Sequence, residues 1–131
     1  MRLDHIAYRV ANRDAAVQFF QEAFGYHFQA EFEIFFDEEK KEKALCVALE
    51  PPEKTTSRLP FKVQHLSWDG SGDYHMAPEI FVSEGTPGSV VWKWVQARGG
   101  IGGVHHMAYE VESVEKQRDL WLAKGWGDFT S

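Results

Sequence analysis

Cysteine occurs once in the 131 residues, at Cys46. No internal disulfide can close, which fits a reducing compartment, and the expected location is cytoplasmic. Long apolar runs are missing too. Nothing approaches the roughly 20 residues of a membrane-spanning helix, and the opening MRLDHIAYRV has no leader-like apolar stretch. No membrane partner is therefore expected. Positive charge is sparse: its longest stretch is the Lys40-Lys41 pair inside DEEKKEK, and the formal charge is −6. A nucleic-acid surface needs clustered Lys and Arg, so none is expected here. What the chain has instead is apolar material, 44% hydrophobic and 15% aromatic residues. That content excludes disorder and suits one domain with a real core.

Residues 3–10, LDHIAYRV, come back as residues 104–111, VHHMAYEV. His5, Ala7, Tyr8 and Val10 are matched by His106, Ala108, Tyr109 and Val111, while Leu3 and Ile6 meet the apolar Val104 and Met107. A duplicated strand is the simplest source of such a repeat. Strict alternation puts Leu3, His5, Ala7 and Arg9 on one face and Asp4, Ile6, Tyr8 and Val10 on the other.

Each copy runs into a helix. After the first, Asn12 can cap, Ala16, Phe20, Ala23 and Phe24 recur at helical spacing, and Gly25 stands where the helix stops. After the second, SVEKQRDLWLAKG offers Ser113 as cap and Gly125 as stop. Between them lie two strands, 27–36 and 43–50, hinged on the charged turn DEEKKEK. A less regular stretch, 51–76, holds a possible short strand FKVQHLSW. Then come a strand at 78–84 and a connecting helix from about Ser89 to Arg98. The expected class is α+β, a single domain over 1–131. It divides into a βαβββ module (1–85), a linker helix (86–103) and a partial βα second module (104–131).

If the copies pair about a pseudo-twofold axis, His5 and His106 enter one cavity from facing strands. Two neutral imidazoles on rigid strands are a natural start for a divalent metal site. A bland core position gives no reason for histidine in both copies, so metal binding is expected.

These residues resemble the vicinal oxygen chelate superfamily of glyoxalases, bleomycin-resistance proteins and dioxygenases, with the closest likeness to methylmalonyl-CoA epimerase. The likeness rests on LDHIAYRV, AAVQFFQEAFGY, the linker VVWKWVQARGG and GVHHMAYEVESV, and covers residues 1–49 and 77–127. It implies the vicinal oxygen chelate fold, in which curved sheets enclose a divalent ion (Fe, Co, Mn, Ni or Zn) and ligands come from the first and fourth strands of each module. Motif to motif, ligands fall on His5 and His106, and His105 is expected to face away. The remaining ligand falls in the strand before the linker, where Glu79 is the best chemical candidate. Counting back without a gap lands on Ile80, and a one-residue shorter loop at EGTPG restores Glu79. His75, four residues earlier, would share its face.

Two departures stand out. The third-strand position at which such epimerases carry a glutamate base falls on Cys46, a poor base. The chain also ends soon after the second helix, where the family pattern would continue with three more strands and a fourth ligand. Either the sequence is a fragment, or another chain supplies the strands, or the site works incomplete; with them absent, a covering partner, as in a homodimer, is expected over Leu120, Trp121 and Trp126. Strand parity further places Arg9 and Glu110 beside His5 and His106. Either they pair with each other, or Arg9 grips a substrate carboxylate and Glu110 serves as an acid–base group. The resemblance then implies a metal-dependent epimerase, lyase or dioxygenase. Its substrate would be a small oxo-acid or acyl-CoA, handled through a metal-chelated enolate. The alternatives are a non-catalytic bleomycin-resistance-type binder, with Phe28, Phe32, Phe35, Trp68, Tyr74 and Phe81 as candidate lining, or an inactive homologue.

Overall fold

The computed structural model describes residues 1–52 and 78–128. Strand β1 (Arg2–Val10) leads to α1 (Arg13–Phe24), and a two-strand hairpin follows, β2 (His27–Asp37) and β3 (Glu42–Glu50). After the undescribed segment come β4 (Glu79–Gly85), α2 (Val90–Gln96), β5 (Gly102–Glu110) and α3 (Val114–Lys124). The strand FKVQHLSW and the residues Trp68, Tyr74 and His75 lie outside the described residues.

Local chemistry sets the helix ends where the sequence places them. The Asn12 side chain accepts from the Ala15 N–H at 3.0 Å, and Gly25 closes α1 at φ 73°. There the Gly25 N–H donates to Gln21 O and the Tyr26 N–H to Phe20 O, satisfying carbonyls the helix leaves open. Ser113 and Gly125 repeat both devices on α3. Ser89, fully buried, caps α2 through the Trp92 N–H.

The sheet runs in the order β2-β3-β4-β1-β5. β1 pairs in parallel with β4 and antiparallel with β5. β3, flanked on both sides, is apolar along ALCVAL because both its faces are covered. On the helix side, Val47, Leu49, Ile80 and Val82 form the main core, against which Tyr8, Val10, Ala16, Val17 and Phe20 pack. Leu49 and Val82 have no exposed surface. Truncating Leu49 to alanine there would cost about 3 kcal/mol. On the opposite face Ala44, Cys46 and Val91 make a smaller cluster with Phe32.

The β1–β5 ladder is irregular in two places. Leu3 pairs with Tyr109 but His5 with Ala108, so Asp4 is an extra residue on β1. Ala7 pairs with His106 but Tyr8 with Val104, so His105 is an extra residue on β5. Such bulges bend a strand and re-aim its side chains. Gly102 closes the same ladder at φ 95°, and a β-carbon there would stand 2.0 Å from the Arg9 carbonyl oxygen. α3 is different in kind: it buries none of its residues, and Leu120, Trp121 and Trp126 are exposed, as are Phe28, Ile34 and Phe35 on β2.

Candidate metal and substrate site

The sheet face opposite α1 holds a cavity of about 280 Å³. His5, Arg9, Cys46, His105 and His106 line it, with Phe32, Ile34 and Phe81 among its apolar walls. The His5 ring stacks on Phe81 with centroids 4.0 Å apart and planes 9° from parallel. Its Nδ1 lies 2.9 Å from Asp4 Oδ2. A carboxylate partner holds the proton on Nδ1 and leaves Nε2 with a free lone pair, the arrangement a metal-ligating histidine needs.

His106 stands across the strand seam, its ring centroid 5.6 Å from that of His5 at an interplanar angle of 76°. Its Nδ1 is 2.8 Å from His105 Nδ1, so one ring donates and the other accepts. When His106 donates, its Nε2 is free in the same way as that of His5. Strand parity sends His105 away from the cavity, but the structure puts it on the cavity wall. The cause is the bulge: the additional residue in β5 breaks the alternation on which that expectation rests. Asp4 and His105 are thus equivalent in the duplicated octapeptide, equivalent as bulge residues, and equivalent in contacting the Nδ1 of the next histidine. Burial lowers the pKa of His106, helped by His5 and Arg9, and that of His105, helped by Arg9, His106 and Arg98. Both rings therefore stay neutral, and open to a metal ion, to lower pH than an ordinary imidazole.

Glu79 is the ladder partner of His5 on β4, which places the two on one face of adjacent strands. Its Oε1 accepts from Gln29 Nε2 at 3.4 Å, and the same amide donates to Glu50 at 3.0 Å. Among the described residues no three His, Cys, Asp or Glu side chains converge on one point. The pair of imidazoles nevertheless fits a divalent ion. Rings that share an ion through nitrogens about 2 Å from it have centroids roughly 5–6 Å apart. His5 and His106 would hold the ion, and Glu79 is the carboxylate that the ladder places directly opposite His5 on β4.

Arg9 lines the cavity as strand parity requires. Glu110 does not. Arg9 pairs with Gly103 and Glu110 with Arg2, at opposite ends of the ladder. Seven positions of strand, roughly 20 Å, separate them. They cannot pair with each other, because an antiparallel partner strand carries equivalent repeat positions to opposite ends. Cys46 faces the cavity from β3, 3% exposed, its thiol pushed up by burial, an effect that Arg13 and Arg9 partly oppose. Of the candidate aromatics, Phe32 and Phe81 line the cavity, whereas Phe28 and Phe35 are exposed.

A βαβββ sheet followed by a second strand–helix pair, with paired strand histidines in its concavity, defines a vicinal oxygen chelate domain. The chain belongs to the Glyoxalase/Bleomycin resistance protein/Dioxygenase superfamily, whose family model matches residues 4–130. Among curated proteins no relative matches. Solved structures do. A methylmalonyl-CoA epimerase is 25% identical with a TM-score of 0.64, the match covering 95% of this chain and 71% of that one. The epimerase from Mycobacterium tuberculosis is 18% identical, with a TM-score of 0.60 and 64% of its length covered. That from Streptomyces coelicolor, in complex with 2-nitronate-propionyl-CoA, is 22% identical, with a TM-score of 0.56 and 72% covered. The chain thus spans about two thirds of the length of these structures.

Proposed function

We propose that this domain is a divalent-metal enzyme that binds a small oxo-acid or acyl-CoA substrate in the concave cavity and acts as an epimerase, lyase or dioxygenase. The observation that carries the reading is the convergence of His5 and His106 at 5.6 Å, each with a partner at its Nδ1. A bound ion would supply Lewis-acid stabilisation of negative charge on substrate oxygens. The chain's own residues bind and orient. Phe32 and Phe81 give an apolar wall, Asp4 and His105 set the imidazoles, and Arg9 offers a fork for an acidic group. Glu110, outside the cavity, has no direct part in this chemistry. The epimerase structures, one of them holding an acyl-CoA analogue, support the substrate class. The reading includes a homodimer that covers the exposed apolar side of α3, and a cytoplasmic location.

The test is metal content after reconstitution with Fe, Co, Mn, Ni or Zn salts, for the wild type and His106→Ala. About one ion per chain, lost in the variant, is expected. Equal background metal in both would overturn the site. Solvent deuterium entering a 2-methyl acyl-CoA would then mark epimerase chemistry, and oxygen uptake a dioxygenase.

A second reading, a ligand-sequestering binder, has its own observation. No carboxylate lines the cavity among the described residues, and the epimerase base position holds the protonated Cys46. Tight binding of an acyl-CoA with neither exchange nor turnover in the metal-loaded protein would decide for it.

A further inference from the structure

We infer that the α2 side of the cavity is an oxyanion-binding site, in which Arg9 and Arg98, both held over the Trp94 indole, receive a carboxylate or phosphate group of the ligand. The inference rests on the proposed small-acid or acyl-CoA substrate and names where its charge lodges.

Arg9 reaches the cavity from β1, and its guanidinium carbon lies 5.8 Å from the Trp94 ring centroid. Arg98, just beyond α2, lies over the same ring at 3.8 Å and donates from Nη1 to the Trp94 carbonyl at 3.1 Å. The His105 ring meets Trp94 edge-on at 5.3 Å, which joins this cluster to the histidine wall. One indole thus gathers two guanidiniums beside a cavity. Cation–π contacts help to hold each in place.

Their charge surroundings among the described residues point to the ligand. Arg13 pairs with Asp14 and Glu31, and Arg118 with Asp119. Among the described residues neither Arg9 nor Arg98 has a carboxylate within ion-pair distance, although the chain carries 20 acidic residues against 14 basic. Instead, burial and then the nearby charge of Arg98 lower the Arg9 pKa. A planar guanidinium fork is the side chain that matches carboxylate and phosphate oxygens two at a time. An oxyanion received by these arginines would offset the charge that lowers the Arg9 pKa and supply an anionic partner that the described residues do not.

The test is an NMR titration of ¹⁵N-labelled protein in EDTA, first with malonate and then with inorganic pyrophosphate. The Trp94 indole N–H is identified by its loss in Trp94→Phe. A saturable shift of that signal is expected. Arg98→Gln and Arg9→Gln should each weaken binding roughly tenfold, Arg98→Lys should recover part of it, and the remote Lys40→Gln should match the wild type. Tighter malonate binding assigns the site to a substrate carboxylate, and tighter pyrophosphate binding to a phosphate-bearing carrier group. No saturable shift by about 20 mM of either anion, or wild-type affinity in Arg98→Gln, overturns the proposal. Arg98 is exposed, so its variant decides even if Arg9→Gln melts early. Metal is absent and turnover is not measured, so loss of the metal-enzyme reading and loss of this site give separate signatures.

Discussion

Asp4 does for His5 what a carboxylate does behind many metal-ligating histidines, fixing which nitrogen carries the proton, and His105 contacts His106 at the equivalent nitrogen. Asp4→Asn keeps the shape but can present an amide donor where the carboxylate accepted. Metal affinity should fall about 10- to 100-fold with the melting temperature little changed, as read by competition with a chelator dye. Cys46 makes the opposite case, a reactive group silenced by its surroundings. Burial holds its thiol above the ordinary 9.0, so at pH 8 iodoacetamide should label it far more slowly than in guanidinium. The sign for stability follows. The unfolded thiol ionises first as pH rises, so the contribution of Cys46 is full below the ordinary value and is lost on going above it. A melting temperature that fell less above pH 9 in Cys46→Ala than in the wild type would confirm this linkage.

The elements were legible in the sequence wherever their determinants are local. Asn12, Gly25, Ser113 and Gly125 mark helix ends by chemistry contained within a turn or two, and all four act as read. Strand β3 was equally plain, because a strand covered on both faces is apolar throughout. The bulges were not legible. An additional residue at Asp4 or His105 exists only relative to a partner strand about a hundred residues away, and alternation within one strand carries no trace of it. Two readings of the site fail on such long-range pairing: His105 as outward-facing, because of its bulge, and Arg9–Glu110 as a possible pair, because the partner strand runs antiparallel. The sequence marks Arg98 only as the end of a helix, since packing against Trp94 alone ties it to the cavity. The ladder's end offers a direct test. Gly102→Ala would set a side chain against the Arg9 carbonyl at a positive φ. It should destabilise the fold by about 2 kcal/mol or more, measured by urea unfolding. Ser89→Ala, which removes the buried cap of α2, should cost about 1 kcal/mol in the same experiment.

At the scale of the molecule, the duplication read from eight residues places β1 and β5 side by side. What it could not give is the treatment of the far side. There β5 and α3 enclose an apolar hollow of about 330 Å³, bordered by Met107, Tyr109, Trp121 and Leu122. The proposed homodimer makes this face its interface. Sedimentation velocity should then return twice the 15.0 kDa chain mass, and Trp121→Glu should return the monomer. A monomeric wild type at high concentration would remove that part of the reading. The order of the strands has one more consequence, and it concerns time. β1 sits between β4 and β5, so His5 meets its neighbour Glu79 only across 74 residues of chain, and Ala7 meets His106 only across 99. The hairpin of β2 and β3 can close by itself, because its loop is short. The first strand must wait, unpaired, for partners made much later, and each long closure is slow. The two histidines are therefore expected to be among the last parts of the domain to meet, so that in stopped-flow refolding a probe of the cavity should lag one on the β2–β3 hairpin.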